Sequence, residues 1–235
     1  MKTVVIGPRP ALEALQGHRL AATVAEWVVD TGQGLGPLPT AERLVALHTV
    51  VNNRFSSPFD RIVVPRGYRV LVHGLLPGPI QSLGWEYPWG HAEQIYMLND
   101  LPSFYEGDHW ELAPLYPDRG LVGMEDLVAG GLSVTAVPHR PGLVTPRVIC
   151  QIINEAYYLY GEGSATADAI DNAMRLGVNY PKGPFAWAQA LGGAGRVVAV
   201  LQSLATQRPD QARVAPALWA AATLPAEMAV DAGLA

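Results

Sequence analysis

A histidine and a glutamate lie two residues apart in the segment HWELAPL, which begins at His109. The segment is predicted to be a strand, so the side chains of His109 and Glu111 point to the same face of a sheet. An imidazole that is oriented by a carboxylate can act as a general base near neutral pH. The same spacing also fits a simple surface contact between His109 and Glu111, without any catalytic role.

The first predicted strand ends in a turn that could face a nucleotide. Residues 3–7, TVVIG, are a short apolar run typical of a buried parallel strand. A dinucleotide-binding turn needs three glycines and backbone N–H groups aimed at phosphate. The turn GPRPAL keeps only Gly7 and carries two prolines, which lack an N–H. Arg9 could supply a charge instead, and Asp30 lies where a ribose-binding carboxylate could follow. The alternative is that Gly7 only ends the strand, Arg9 is solvated and Asp30 is a surface residue.

Short apolar strands alternate with short helices before residue 139, which predicts an α/β layer with a mostly parallel sheet. Further strands are predicted at residues 26–30, 49–53, 69–73, 94–98, 110–113 and 133–137, and helices at 10–15, 41–47 and 121–129. For the segment 41–47 the helix prediction rests on Thr40 as an N-cap and on Leu44 and Leu47, which share a helical face.

The rest of the chain is predicted to be helical. Apolar residues recur at helical spacing from 149 to 160, and two glycines end that helix. Thr166 suits the start of a second helix. The proline-braced loop NYPKGPF, residues 179–185, then leads into a third helix. This pattern predicts a helical hairpin with an ordered loop.

Several stretches resemble the C-terminal domain of the 3-hydroxyacyl-CoA dehydrogenases, including the 3-hydroxybutyryl-CoA enzymes: PGLVTPR, INEAYYLYGEGSAT, IDNAMRLGVNYPKGPF and the helix that carries Trp187. The pattern of NEA, an acidic-glycine turn and AMxLGxxYPxGPF runs without a gap from Asn154 to Phe185. The resemblance implies a shortened Rossmann-like domain at residues 1–139 and a helical domain at residues 140–235. It also implies oxidation or reduction of a 3-hydroxyacyl thioester, with NAD as the cofactor and an acyl-CoA-type molecule as the ligand.

The resemblance implies a histidine base, a glutamate that orients it, and a serine and an asparagine that hold the substrate oxygen. Glu111 matches the orienting glutamate, and counting back from it places the histidine position near Asn99. The serine turn matches VLVHGLLPG, where His73 stands, and Thr145 replaces the asparagine. His109 and His73 are therefore the candidate replacement bases, although each also fits an ordinary surface or strand-end histidine.

Four residues of the helical part are the candidate substrate contacts that the resemblance implies: Asn154, Asn179, Tyr180 and Lys182. Lys182 is a candidate partner for the phosphates of coenzyme A, and a structural role in pinning the loop fits these residues as well. Apolar stripes at 196–204 and 212–222 suggest association of subunits. Because members of the resembled family pair through this domain, a homodimer is expected. The alternative is that these helices cover only each other and the sheet.

Composition excludes several classes of function. The 235 residues are 49% hydrophobic and 16% charged, with a net charge of −5, as in a compact globular protein. The 16 lysines and arginines are scattered, so no nucleic-acid groove is predicted, and no metal site is predicted either. No run approaches the ~20 apolar residues of a membrane span, and the N-terminal run is too short for a signal peptide. The single cysteine, Cys150, fits a reducing compartment, so a cytoplasmic protein is expected.

Two hypotheses from different classes follow from these patterns. The first is an NAD-dependent 3-hydroxyacyl-CoA dehydrogenase with an altered nucleotide turn and catalytic site. The second is a non-catalytic dimer of the same family that binds acyl-CoA or serves as a scaffold.

Overall fold

The computed structural model describes residues 1–31, 35, 37–47, 49–51, 54–56, 65–74, 91–206, 208 and 213–223. The chain divides into two compact units, Met1–Leu143 and Val144–Ala235. The first unit is α/β and the second is all-helical in the described residues. The predicted fold class, a mostly parallel sheet followed by a helical domain, is therefore confirmed.

The described residues of the first unit form nine strands: β1 (Thr3–Gly7), β2 (Val24–Val29), β3 (Arg43–Ala46), β4 (Thr49–Val51), β5 (Arg54–Ser56), β6 (Val70–His73), β7 (Gln94–Leu98), β8 (His109–Pro114) and β9 (Ser133–Ala136). β4 and β5 pair as a separate antiparallel hairpin, and the other seven form one sheet in the order β2-β1-β3-β6-β7-β8-β9. The first five of these strands are mutually parallel, β8 runs antiparallel to β7, and β9 is parallel to β8.

Both faces of the sheet are covered, because alternate residues of each central strand pack into different apolar clusters. One face carries Val5, Val45 and Val72, and the other carries Val4, Leu44 and Leu71. The uninterrupted Val, Ile and Leu runs in the sequence follow from this two-sided burial, since neither face of these strands meets water.

The predicted helix at residues 41–47 is wrong, because Arg43–Ala46 is strand β3, paired between β1 and β6. Leu44 and Leu47, which share a helical face in the prediction, lie instead in a buried strand and just after it, and the Arg43 side chain is fully buried as well. Its guanidinium donates to the Gly123 carbonyl oxygen at 3.0 and 2.6 Å and to Thr3 Oγ1 at 3.2 Å, and it pairs with the Asp126 carboxylate. The buried charge of Arg43 is thus paired with a carboxylate that is distant in sequence.

The part of the first unit that the structure describes also contains two short α-helices, α1 (Arg9–Leu15) and α2 (Glu125–Ala129). The helix predicted from residue 121 begins only at Glu125. Gly123 interrupts it with a φ of +75°, and a β-carbon at that position would lie 2.3 Å from Val70 Cγ2. The loop before α2 therefore needs a glycine for both its backbone angle and its close approach to β6.

The second unit contains five helices in the described residues: α3 (Thr145–Gly161), α4 (Ala167–Gly177), α5 (Pro184–Ala190), α6 (Ala194–Ala205) and α7 (Pro216–Thr223). Thr166 caps α4, as predicted, by accepting the Ala169 amide at 3.3 Å. The predicted stripe on α6 is buried, whereas on α7 Leu218 is buried and Trp219 is 46% exposed. The apolar stripe of α6 thus forms the core of this unit.

Candidate functional site

The candidate residues of the first unit gather at one edge of the sheet. Gly7 and His73 are the last residues of the parallel strands β1 and β6, and Asp30 directly follows β2. Because β8 runs antiparallel to β7, the start of β8 lies beside the end of β7. Glu111 therefore lies at the carboxyl edge that also carries Gly7 and His73. Open α/β sheets bind their ligands at this edge.

The turn between β1 and α1 offers little to a pyrophosphate. Pro8 and Pro10 have no N–H, and the amides of Ala11 and Leu12 both donate to the Pro8 carbonyl at 3.0 and 3.1 Å. Arg9 is left as the one residue of this turn whose N–H could meet an anion. The chain therefore does not fit the amide grip of a glycine-rich nucleotide turn, as the sequence had indicated.

Asp30 is buried, with 2% of its surface exposed, so the alternative that it is a surface residue is wrong. Its amide donates to the Gly7 carbonyl at 2.8 Å, which fixes it beside the end of β1. This is the position expected of a ribose-binding carboxylate. Gly7 also packs closely, because a β-carbon there would lie 3.2 Å from Leu47 Cβ.

His109 and Glu111 differ sharply in environment although they share a strand face. His109 is exposed, and its Nδ1 lies 3.1 Å from Ser133 Oγ on the neighbouring strand β9. Glu111 is buried, with 7% of its surface exposed. The structure thus gives His109 a hydrogen-bond partner in Ser133, which the sequence did not predict.

Asn99, the residue at the expected histidine position, lies across from Glu111. The Asn99 amide donates to the Glu111 carbonyl at 3.3 Å, and the Asn99 side chain accepts the Leu101 amide at 3.3 Å. Asn99 is 3% exposed. Asn99 and Glu111 are therefore neighbours across the two strands, and the roles that the resemblance implies for these two positions stay predictions.

His73, the second candidate base, ends β6 beside Ala46 of β3. The following amide, that of Gly74, donates to the Ala46 carbonyl at 2.9 Å. The backbone of His73 is thereby fixed at the carboxyl edge, and its side chain lies outside the described residues.

In the second unit, the Asn154 side chain is buried and makes two hydrogen bonds to the backbone that precedes α7. Its Nδ2 donates to the Arg213 carbonyl at 2.9 Å, and its Oδ1 accepts the Ala215 amide at 2.8 Å. Tyr158 also donates to the Arg213 carbonyl, at 3.3 Å. These bonds hold the segment before α7 against α3 and give Asn154 a structural role. Its predicted contact with substrate stays a prediction.

The loop that carries Asn179, Tyr180 and Lys182 is held at both ends. The Tyr180 ring lies 5.1 Å from the ring of Trp187, and the Phe185 ring lies 4.6 Å from that of Tyr157. Asn179 has a φ of +58°, a backbone angle that asparagine tolerates better than most residues. Lys182 lines a polar cleft of about 420 Å³ together with Arg175, Asp168 and Asp171 of α4. The cleft thus carries two cationic and two anionic side chains.

Asp171 fixes this loop and was missed by the sequence analysis. Its carboxylate accepts the amides of Phe185 and Ala186 at 2.8 and 3.0 Å, and so caps α5 from α4. A weak signal was available, because α5 begins after Gly183, which has no side chain to cap it. Because no local side chain can accept the first amides of α5, a carboxylate or hydroxyl from another element was needed to cap this helix.

No three side chains of the kinds that ligate metals come together in the described residues. Among the same residues, no helix is both long enough and apolar enough to cross a bilayer.

Residues 142–229 match the family described as 3-hydroxyacyl-CoA dehydrogenase, C-terminal domain. A probable 3-hydroxybutyryl-CoA dehydrogenase of Bacillus subtilis is 45% identical over 157 residues, which cover 65% of this chain and 47% of that protein. The 3-hydroxyadipyl-CoA dehydrogenase of Escherichia coli is 43% identical over 74 residues, which cover 32% of this chain and 15% of that protein. This chain thus spans less than half the length of these two curated relatives.

The fold extends the similarity to the whole chain. The crystal structure of an (S)-3-hydroxybutyryl-CoA dehydrogenase from Ralstonia eutropha superposes with a TM-score of 0.63 at 17% identity, over 99% of this chain and 94% of that one. At this identity the superposition establishes a shared fold. The sequence match confirms the predicted resemblance to the 3-hydroxyacyl-CoA dehydrogenases, because residues 142–229 belong to the C-terminal domain family of those enzymes.

Proposed function

We propose that the chain is a 3-hydroxyacyl-CoA dehydrogenase-type oxidoreductase that acts on a 3-hydroxyacyl thioester, with an altered nucleotide turn and catalytic group. The observation that carries this proposal is the hydrogen bond from the Asn99 amide to the Glu111 carbonyl. This bond makes Asn99 and Glu111 neighbours across β7 and β8, at the end of the sheet where open α/β sheets bind ligands. It supports the proposal that Asn99 stands at the base position and Glu111 at that of the orienting glutamate.

NAD is the proposed hydride acceptor. Its pyrophosphate must be bound in another way than by the backbone amides of a glycine-rich turn. The β1–α1 turn does not fit an amide-bound pyrophosphate, because prolines occupy two of its positions and two further amides donate to Pro8. Arg9 is the residue of the turn that can meet the phosphates, through its N–H and its guanidinium. Asp30 beside Gly7 is proposed for the ribose.

The thioester is proposed to contact the second unit. Lys182 and Arg175, which line the same cleft as the carboxylates of Asp168 and Asp171, are the proposed partners of the phosphates of coenzyme A. Asn154, Asn179 and Tyr180 are the other proposed contacts. A homodimer through the C-terminal helices is part of the proposal, and exposed apolar side chains on this unit support it, because Leu176 is 84% and Trp219 46% exposed.

Proton transfer needs a replacement base. His109 on β8 is the first candidate, since it shares a strand face with Glu111 and is accessible to solvent. His73 at the end of β6 is the second. A general base contributes about 10²–10⁴-fold in rate, so a protein that lacks one at the expected position turns over slowly unless one of these histidines acts.

A second function is favoured by the two changes at the carboxyl edge. Prolines in the nucleotide turn and an asparagine at the base position both remove groups that hydride transfer in this family uses. A non-catalytic dimer that binds acyl-CoA or serves as a scaffold would need neither group.

One experiment separates the two functions. NADH is titrated by its fluorescence, and acetoacetyl-CoA reduction is then measured for wild type, His109→Ala and His73→Ala. Saturable NADH binding with turnover lost in one of these variants supports the dehydrogenase. Absence of NADH binding, with acetoacetyl-CoA still bound and a dimer seen by light scattering, supports the non-catalytic protein.

A further inference from the structure

A buried histidine joins two loops of the first unit that lie far apart in the sequence. His18 directly precedes the 3₁₀ helix Arg19–Thr23, which leads into β2, and only 7% of its surface is exposed. Its Nδ1 lies 3.1 Å from the amide nitrogen of Leu20, and its Nε2 lies 3.0 Å from the carbonyl oxygen of Gly107. Gly107 belongs to the loop of residues 99–108, which connects β7 to β8. The imidazole of His18 therefore connects the start of β2 with the β7–β8 loop.

The two hydrogen-bond partners determine which ring nitrogen carries the hydrogen. A backbone amide only donates, so Nδ1 of His18 must offer a lone pair to Leu20. A backbone carbonyl only accepts, so Nε2 must carry the hydrogen that is donated to Gly107. Only the neutral ring with its hydrogen on Nε2 meets both conditions. A proton added to Nδ1 would face the Leu20 N–H and leave both donors without an acceptor, which is costly in a buried position.

Aromatic stacking holds the ring in this position. The His18 ring lies on that of Trp110 in β8, with 5.2 Å between the ring centroids and 5° between the ring planes. Trp110 is buried, and its Nε1 donates to the Tyr105 carbonyl at 2.9 Å. The stacked pair therefore binds the β7–β8 loop at two carbonyls, those of Tyr105 and Gly107. A movement that turns Nδ1 toward water must disturb the stack and the bond to Gly107, because both depend on the same ring.

The charged side chains on the surrounding elements do not supply the missing acceptor. They are Glu13 of α1, Arg19 of the 3₁₀ helix, and Glu106 and Asp108 of the β7–β8 loop, and all four are exposed. The carboxylate of Asp108 already accepts from Arg19, at 2.9 and 3.3 Å. His109 of β8 is the other histidine on these elements, and it points to the opposite face of the strand from Trp110.

We propose that His18 is a pH-sensitive contact: when its Nδ1 takes a proton from water, the bonds to Leu20 and Gly107 break, and the segment before β2 and the β7–β8 loop open together. The closed form holds the ring neutral, and the opened form accepts the proton. Because the β7–β8 loop begins at Asn99, the opening reaches the carboxyl edge of the sheet. The proposal does not rest on the proposed function, because neither NAD nor a thioester enters it.

The direction and the size of the effect follow from proton linkage. A ring that must be neutral in the closed form stabilises that form at high pH, and this contribution is lost as the pH falls. An imidazole in water takes up its proton at about pH 6.5. The equilibrium constant for opening should therefore rise about tenfold between pH 7.5 and pH 5.5.

The test is amide hydrogen exchange of the full chain, read by mass spectrometry at both pH values and corrected for the intrinsic effect of pH on exchange. We expect peptides that cover residues 17–24 and 99–108 to lose protection about tenfold at pH 5.5, while α3 keeps its protection. Unchanged protection of the two segments in the wild type would overturn the proposal. An equal loss in α3 would also overturn it, because the opening would then not be local.

Two variants assign the effect to one ring. His18→Gln keeps an N–H donor for Gly107 and removes the titrating group, so the tenfold change should fall to about one. The exposed His109→Gln is the matched control and should keep the change. A pH effect that survives His18→Gln, or that is lost in His109→Gln, would contradict the proposal.

Ring ¹⁵N spectra of the wild type decide the matter if His18→Gln does not fold. At pH 7.5 the His18 ring should carry its hydrogen on Nε2 and none on Nδ1. A ring with its hydrogen on Nδ1 would show that the contact is not built as proposed.

Discussion

The carboxylate of Asp171 occupies the space that a β-carbon on residue 183 would need. An alanine β-carbon there would lie 2.1 Å from Asp171 Cγ, well inside any real contact distance. Asp171 in turn caps α5 through the amides of Phe185 and Ala186. The absence of a side chain at Gly183 therefore lets Asp171 cap α5, and this cap fixes the position of the loop that carries Lys182.

Gly183→Ala is expected to destabilise the protein by about 2 kcal/mol or more, because the new methyl group must displace Asp171 and break the cap. Urea unfolding followed by circular dichroism measures this change. Gly177→Ala is the matched control, since nothing lies within 4 Å of a β-carbon at that helical position. The control should be neutral or up to ~1 kcal/mol stabilising. Equal effects of the two substitutions would contradict the assignment.

Asn99→His is expected to increase acetoacetyl-CoA reduction by about 10²-fold or more at saturating NADH, because it places an imidazole beside Glu111. Steady-state kinetics measures the gain. Asn99→Leu should give none, and Asn99→His combined with Glu111→Gln should lose most of it. Because Asn99 is buried, thermal unfolding must first show that the variant folds. A folded Asn99→His protein that binds NADH without faster turnover would argue against a retained site.

Asp126→Asn is expected to destabilise the protein by about 2 kcal/mol or more at pH 7, because it leaves the buried Arg43 guanidinium without its carboxylate. Burial alone would raise the pKa of Asp126, but the hydrogen bond and charge of Arg43 outweigh burial and lower it. A lowered folded-state pKa stabilises the protein above the unfolded-state value, and this contribution is lost as the pH falls through the folded-state value.

The difference between wild type and Asp126→Asn should therefore shrink when the pH is lowered from 7 to 3, as measured by urea unfolding at both values. The exposed Asp118→Asn provides a matched substitution in the same unit and should change stability by no more than ~0.5 kcal/mol. A difference that is constant with pH would show that Asp126 does not act as an ion.

Cys150 is expected to be inert in the folded protein. Burial raises the pKa of its thiol to about 12, against an opposing effect of the Arg196 charge. At pH 8 the reactive thiolate is then roughly 10³-fold rarer than for an ordinary cysteine. Reaction with Ellman's reagent should be correspondingly slow in buffer and fast in denaturing urea. Fast reaction in buffer would show that α3 opens readily.

Ser203→Ala is expected to stabilise the protein by about 1 kcal/mol. The Ser203 hydroxyl is buried in α6 and has no hydrogen-bond partner among the described residues, and alanine also favours the helix more than serine does. Thermal unfolding measures the change. The exposed neighbour Gln202→Ala should stay within ~0.5 kcal/mol of wild type. Destabilisation by Ser203→Ala would mean that the hydroxyl has a partner in solution.

The local spacing of apolar and capping residues predicted most of the helices and strands. It failed where contacts between residues distant in sequence determine the secondary structure. The helical unit was predictable because its apolar spacing and its Thr166 cap are local signals. Strand β3 was not, because the buried Arg43 guanidinium is paired with Asp126 and donates to the Gly123 carbonyl, both about 80 residues away.

The arrangement of the candidate residues could be predicted only in outline. Asp30 was expected where a ribose-binding carboxylate could follow the Gly7 turn, and the structure shows the Asp30 amide donating to the Gly7 carbonyl. The burial of Asp30 could not be predicted, since it depends on how the sheet is covered. Likewise, the position of Asn99 across from Glu111 follows from the antiparallel register of β7 and β8, which residue types alone do not fix.

The two prolines of the β1–α1 turn also act on the unfolded chain. Proline restricts its own backbone, so this turn samples few conformations before folding and loses little conformational entropy when the strand and helix form. A glycine-rich turn at the same place would lose far more. The residues that remove phosphate donors therefore favour the folded state, and a glycine-rich turn in their place would reduce the free energy of unfolding of the first unit.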